Sequence, residues 1–292
     1  NYISDAVKII GKLKKTQHIT VDIGGGSAKT IAPKLLQEIG CQVVTINDEL
    51  DKCSRGPDPT SDKLTELISK TKNVGFAFDL DSDRVILVIN GEKKSSDITL
   101  GLGVVKAINL GIKKFVLSID SSLAVEKYII KHRGQVWRSK VGEANVIQMM
   151  IENNAEAGGE GSSGGFILKE FNMCRDGLLT SGLIASMIDD ESIQKDIEFF
   201  ESFSQIRSKV PIESGLHDKV ITNMIKKVEA KYKIDQLDGI KISINDNTWS
   251  LIRKSNTEDI IRISTESNDK QLLEKIQSEM IKKVECCYEE IK

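Results

Sequence analysis

The sequence predicts an α/β chain: two similar α/β three-layer domains with mixed sheets, then a smaller α+β domain at the C-terminal end. Three observations predict it. Short apolar runs alternate with segments of helical period through the first two thirds of the 292 residues. The strand–helix–strand order at 18–43 returns at 115–136, offset by about 93 residues, which reads as a duplicated domain. From about Ile206 the order changes to strand, helix, three strands and helix. The domains are expected at residues 1–94, 95–205 and 206–292.

In order along the chain, Ile3, Ala6, Val7, Ile10 and Leu13 give a helix over 3–14. His18–Asp22 reads as a strand. Gly24-Gly-Gly26 turns it into a helix at 28–39, stopped by Gly40. Strand 42–46, a Gly/Pro loop over 51–59 and a helix over 61–71 follow. Val74–Phe78 and Val85–Ile89 are apolar runs of buried-strand length. In the second block, strand 115–120, helix 122–132 and a strand from Gly134 repeat the first, and Arg138–Glu143 opens another helix. Residues 189–206 look helical. The last domain is predicted as strand 207–212, helix 216–231, strands 238–244, 247–252 and 259–266, and helix 269–287. Asn245-Asp-Asn247 makes a hairpin turn.

The break between the two apolar runs, Asp79-Leu-Asp-Ser-Asp-Arg84, carries the chemistry. In extended backbone, acids at every second position project to one side. Three carboxylates so placed repel unless a cation compensates them, and oxygen-only donors suit a hard ion, Mg²⁺ before Ca²⁺. Arg84 adds a fork suited to phosphate. An Asp-rich turn between strands is the plain alternative. An EF-hand loop is excluded, because it needs Gly at the sixth position and Glu at the twelfth, where Arg84 and Asn90 stand.

Three further segments are candidates. Gly158–Gly165 contains Glu160, Ser162 and Ser163, acceptors and donors matched to sugar hydroxyls; taken alone, it reads sooner as a flexible glycine loop with no ligand. Arg253-Lys-Ser-Asn-Thr257 offers Arg253, Ser255, Asn256 and Thr257, a set suited to a phosphate dianion or to a polar hairpin. Lys140 stands where a helix begins, a place that welcomes anions. Gly24-Gly-Gly-Ser-Ala-Lys-Thr30 is not a P-loop, since Ala28 replaces the Gly required before the Lys.

Composition excludes other classes. The chain is 39% hydrophobic and 29% charged with net charge −2, so no global basic field draws it to nucleic acid. No apolar stretch reaches membrane-spanning length. Five cysteines, none in C-x-x-C, read as free thiols in a reducing compartment, and the cytoplasm is expected. Three scattered histidines leave no zinc site or His-based triad in view.

Together and in this order, these segments resemble the α-D-phosphohexomutase superfamily, which includes phosphoglucomutase, phosphomannomutase and phosphoglucosamine mutase. Asp79–Arg84 is similar to its metal loop D-G-D-x-D-R, Gly159–Gly164 to its sugar loop G-E-x-S-G, and Arg253–Thr257 to its phosphate loop R-x-S-[NG]-T. Arg175-Asp-Gly177 looks like archaeal-type members. The resemblance implies that Asp79, Asp81 and Asp83 ligate Mg²⁺ and that Arg84 sits by the transferring phosphoryl group. It implies that Lys140 contacts substrate, and that Glu160 with Ser162 or Ser163 binds sugar hydroxyls. Arg253, Ser255, Asn256 and Thr257 would hold the non-reacting phosphate. The implied activity interconverts hexose or hexosamine 1- and 6-phosphates through a phosphoserine and a bisphosphate, glucosamine phosphate first, mannose or glucose phosphate next. The sequence departs from the family at Leu80 for Gly, at Lys254 and Asp259 where Pro is common, at Gly165 or Phe166 where some members have His, and by one extra residue in the sugar loop. The phosphoserine loop has no counterpart, so this chain alone is expected to be inactive; the alternative is a non-catalytic sugar-phosphate binder.

Overall fold

The structure, a computed structural model, describes residues 1–50, 52–255 and 258–292. Asn256 and Thr257 of the expected phosphate loop lie outside the described residues. Residues 1–121 and 125–200 form one compact unit, and residues 122–124 and 201–292 form a second.

The first unit opens with α1 (Tyr2–Ile10), β1 (His18–Asp22), α2 (Ala28–Ile39), β2 (Gln42–Ile46) and α3 (Thr65–Lys70). β3 (Val74–Phe78), β4 (Val85–Ile89) and β5 (Glu92–Lys93) complete its first sheet. The strand order is β2-β1-β3-β4-β5, parallel among the first three and antiparallel after β3. All ten residues of β3 and β4 are buried, as unbroken apolar runs require. α2 stops because Gly40 adopts φ 111°, left-handed backbone that glycine enters without a Cβ clash.

After α4 (Ser96–Asn109) come β6 (Lys114–Ser118), α5 (Leu123–Lys131), β7 (Gln135–Ser139) and α6 (Glu143–Glu152), then β8 (Ala157–Glu160), β9 (Gly165–Leu168), α7 (Gly177–Ala185) and α8 (Ile193–Glu201). The second sheet is ordered β7-β6-β8-β9, with two parallel pairings and a final antiparallel one. This is the pattern of β2-β1-β3-β4, so the predicted repeat reappears as topology. In both sheets the chain leaves the central strand on one side and crosses back to the other. The carboxyl ends of β1 and β3, and of β6 and β8, therefore flank topological switch points, where open α/β sheets bind ligands. The β3–β4 and β8–β9 loops occupy the same place in the two sheets.

Helices α4 and α7 were not signalled by periodicity, and their burial explains why. α4 packs on β4, β8, β9 and α7, and α7 packs on α1, α2, α4, β4 and β9. A helix covered all round has no polar face to mark it. Within α4, Gly101 and Gly103 have no room for a Cβ, because the Phe200 and Phe166 rings lie 2.9 and 2.8 Å from where one would stand. Several predicted helices are shorter than expected, helix 216–231 among them, which stops at Val228. Helix 3–14 ends at Gly11, with φ 82°. Helix 61–71 starts only at Thr65, since Asp62 Oδ1 accepts from the Leu64 N–H and Leu64 is left-handed. The segment 189–206 holds only α8 and then enters a strand.

The second unit contains β10 (Ser204–Pro211), α9 (His217–Val228), β11 (Lys233–Asp235), β12 (Ile240–Asn245), β13 (Thr248–Lys254), β14 (Ile260–Ser267) and α10 (Lys270–Glu289). Its antiparallel sheet runs β10-β14-β13-β12-β11. Val220, Met224, Ile252, Ile263, Met280 and Val284 are among the side chains that bury one face against α9 and α10. At the predicted hairpin turn, the Asn247 N–H donates to Asn245 Oδ1 at 2.8 Å. The three-residue edge strand β11 is too short to show in the sequence.

Candidate active site

The alternating acids converge, although not through extended backbone. Ser82 turns to φ 65°, so residues 79–84 form a loop rather than a strand continuation. Asp79, Asp81 and Asp83 nevertheless bring one oxygen each within 4.8 Å of one another. Asp79 is buried and Asp81 exposed. Burial, and then the adjacent Asp83 carboxyl, push the Asp79 carboxyl up to about 7 against the pull of Arg84. Asp83 Oδ1 is buried without a hydrogen bond; Arg84 Nε lies 3.3 Å away but is not aligned to donate. Crowded carboxylates with an orphaned buried oxygen fit a hard divalent cation. Arg84 folds back on the acids, with Nε 3.1 Å from Asp79 Oδ2 and Nη1 3.7 Å from Asp58 Oδ2.

The glycine turn after β1 supports this loop. A Cβ on Gly26 would stand 2.6 Å from Leu80 O and 2.9 Å from Asp79 O, so only glycine permits the close approach. The Ser27 N–H donates to Leu80 O at 2.8 Å, and Ser27 and Ser82 share a hydroxyl hydrogen bond of 2.8 Å. Beneath it, the buried Arg55 pairs with Asp22 at 2.9 Å and donates to Phe78 O at 2.6 Å, tying together the ends of β1 and β3. Lys93 holds the preceding loop by donating to Pro59 O, Thr60 O and Asp62 O at 2.5–2.9 Å.

The sugar-loop candidates sit in the β8–β9 hairpin. Glu160 is buried; Oε1 accepts from the Gly142 N–H at 2.6 Å and Oε2 from Arg175 Nη1 at 2.9 Å. Burial raises its carboxyl, while Arg175 and the Gly142 N–H pull it down. Ser163 is spent inside the turn, donating to Glu160 O and accepting from the Gly165 N–H, both at 3.3 Å. Ser162 is half-buried. The loop is anchored where the Gly161 N–H donates to Ser121 Oγ at 2.8 Å. Lys140 is exposed, two residues before the amide that binds Glu160.

The residue that joins the two loops was not among the candidates. Arg175 reaches Asp83 Oδ2 with Nη2 and Glu160 Oε2 with Nη1, and its Nε lies 3.2 Å from Glu143 Oε2. Asp176 caps α7 by accepting from the Leu179 N–H and also accepts from Tyr2 OH at 2.6 Å. The Gly177 N–H donates to Ser82 O at 3.1 Å. The Arg175-Asp-Gly177 triplet was visible in the sequence as a likeness only; nothing in its local pattern says which carboxylates it meets.

In the second unit, Arg253, one residue before the end of β13, stands directly opposite Arg262 of β14. Like charges so paired repel, and Glu258 compensates Arg262, accepting from its Nη2 at 2.5 Å. The Ser255 N–H donates to Ile260 O at 3.0 Å, and Arg262 Nε donates to Ser255 Oγ at 3.4 Å. Lys254 is engaged with Asp218 at 2.9 Å. Arg262 is a cation the sequence reading did not single out. Among the described residues no helix is long and apolar enough to cross a membrane.

Comparison with known proteins agrees with this arrangement. Three family models match in series: phosphoglucomutase/phosphomannomutase alpha/beta/alpha domain II over residues 1–92, alpha/beta/alpha domain III over 98–203, and the C-terminal domain over 206–283. A phosphoglucosamine/phosphogalactosamine mutase of Sulfurisphaera tokodaii is 31% identical over 294 residues, covering 94% of this chain and 64% of that protein. A phosphoglucomutase/phosphomannomutase family protein from Burkholderia thailandensis has the same fold, with TM-score 0.80 at 21% identity over 97% of this chain and 64% of that one. The Aspergillus fumigatus N-acetylphosphoglucosamine mutase solved with GlcNAc-6P and magnesium also shares it, with TM-score 0.69 at 13% identity over 97% of this chain and 69% of that one. The chain spans 59–65% of the length of the curated relatives it matches. With three consecutive domain models matched and both sheets and the antiparallel domain in place, the chain belongs to the phosphoglucomutase/phosphomannomutase family.

Proposed function

We propose that this chain carries the metal-, sugar- and phosphate-binding parts of a phosphohexomutase that interconverts hexosamine 1- and 6-phosphates, with glucosamine phosphate the first substrate and mannose or glucose phosphate the alternatives. The observation that supports it most is the junction of the two switch-point loops, where a carboxylate cluster fit for Mg²⁺ and the buried Glu160 meet on one guanidinium. Relatives named as phosphoglucosamine mutases favour the hexosamine.

In this reading Asp79, Asp81 and Asp83 would hold Mg²⁺, which when bound would supply compensating positive charge for phosphoryl transfer. Arg84, released from the acids as their charge is compensated, turns its fork to the same group. Glu160 and Ser162 take the sugar hydroxyls. Ser162 is preferred to Ser163, whose hydroxyl is committed to the turn. Lys140 supplies a mobile point charge at the substrate end. Arg253 and Ser255, with Asn256 and Thr257, retain the phosphate that does not react.

The test is conversion of glucosamine 1-phosphate by the intact protein with Mg²⁺ and a trace of the matching bisphosphate, against mannose and glucose 1-phosphates. Asp81→Asn is expected to abolish the metal-dependent rate, and an unchanged Mg²⁺ dependence would refute the metal assignment. Binding of Mg²⁺ and glucosamine 6-phosphate with no turnover of any of the three sugars would reduce the protein to a sugar-phosphate binder.

A further inference from the structure

We infer that Arg175 is a positioning residue that couples the metal loop to the sugar loop, so that the charge state of one is felt at the other. The inference rests on the phosphohexomutase reading of those loops. One guanidinium spans them: Nη2 is on Asp83 Oδ2, Nη1 is 2.9 Å from Glu160 Oε2, and Nε is 3.2 Å from Glu143 Oε2. The Arg175 N–H also donates to Glu143 Oε1 at 3.1 Å, fixing the backbone from which the side chain departs. Three carboxylates thus share one positive charge in a site where the Arg175 side chain is 17% exposed, where screening by water is weak.

The path of the side chain is built in as well. A Cβ on Gly165 would stand 2.3 Å from Arg175 Cδ and 2.8 Å from its Cγ. The stem therefore lies in a trough that exists only because residue 165 has no side chain. On the far side, the Gly177 N–H donates to Ser82 O in the metal loop. A cation placed midway between two acceptors divides its attraction between them. Whatever satisfies Glu160 leaves more of the guanidinium to Asp83, and whatever satisfies Asp83 leaves more to Glu160. Arg175 does not need to touch substrate to act in this way.

The test is a double-mutant cycle on Mg²⁺ affinity, measured by calorimetry on the full chain with Mg²⁺ alone as probe. Arg175→Gln removes a positive charge beside Asp83 and should tighten Mg²⁺ binding about tenfold. Glu160→Gln lies in the other loop; with Arg175 present it should weaken Mg²⁺ binding about fivefold, because the released guanidinium turns to Asp83. In the Arg175→Gln background the same Glu160→Gln change should do nothing. Gly165→Ala keeps the charge and crowds the stem; it should raise Mg²⁺ affinity as Arg175→Gln does, and Arg175→Lys should restore it towards wild type. Equal effects of Glu160→Gln in both backgrounds, or lowered melting temperatures with unmoved Mg²⁺ affinities, would overturn the coupling and leave Arg175 a structural cation. Failure of the unmutated chain to bind Mg²⁺ at all would instead remove the phosphohexomutase reading and this inference with it.

Discussion

Removing divalent metal should make the stability of the first unit depend on pH through Asp79. Burial beside Asp83 raises its carboxyl from 3.8 to about 7. Because folding raises this value, the folded state keeps a proton that the unfolded state releases. The stabilisation is complete below 3.8 and is lost as pH rises through about 7. At about 1.4 kcal/mol per pH unit the gap has an upper limit of about 4 kcal/mol. Residual screening by water reduces this, so about half of that is expected. For a unit of this size each kcal/mol moves the melting temperature about 2–4 °C. About two of those pH units lie between pH 5 and pH 8, so in EDTA the melting temperature should fall about 3–6 °C over that range, read by calorimetry or circular dichroism. Asp79→Asn should flatten that slope. Mg²⁺ at about a hundred times its Kd should add about 2.7 kcal/mol at pH 8 and much less at pH 5, where the proton competes. Parallel pH profiles for wild type and Asp79→Asn in EDTA, or equal stabilisation by Mg²⁺ at both pH values, would refute the reasoning.

Other perturbations separate support from chemistry. Gly26→Val places carbon against Leu80 O and Asp79 O; it should cost about 1–3 kcal/mol in urea unfolding and weaken Mg²⁺ binding in calorimetry. Arg55→Met strands the Asp22 carboxylate, since both side chains of the pair are 2% exposed. A loss of about 3–5 kcal/mol in urea titration is expected, and a loss below 1 kcal/mol would show the pair to be dispensable. Ser162→Ala should raise KM for the sugar phosphate with little change in melting temperature. Ser163→Ala should do the reverse, lowering stability by about 0.5–1.5 kcal/mol through its lost turn contacts.

What the sequence disclosed follows what local pattern can encode. The β3 and β4 strands and the acids between them were legible because apolar runs and charge alternation are short-range signals. The three acids converged, yet by a left-handed turn at Ser82 that the alternation does not announce. The helices α4 and α7 were silent because each is buried on every side. Which of Ser162 and Ser163 is committed to the turn could not be read from spacing; it needed the hydrogen bonds of the hairpin. Arg175 was hidden for a different reason, since its partners are 15, 32 and 92 residues away in the chain. Arg262 was missed because it looks like any strand cation until the β13–β14 register sets it across from Arg253.

The equivalence of the β3–β4 and β8–β9 hairpins bears on how such a protein can change over generations. β3 and β4 face each other as apolar runs, whereas β8 carries Gly158 and Gly159, so the register of the β8–β9 hairpin rests more on its turn. Two hairpins at corresponding places thus offer two turns that can carry different side chains, within the limits set by what each turn packs against. One copy holds acids and the other a lone glutamate with hydroxyls, a division of labour that a single turn could not evolve. Under the proposed function, a change at Ser162 would alter the sugar site and leave the acids at 79–84 as they are, and Arg175 is the side chain that touches both loops.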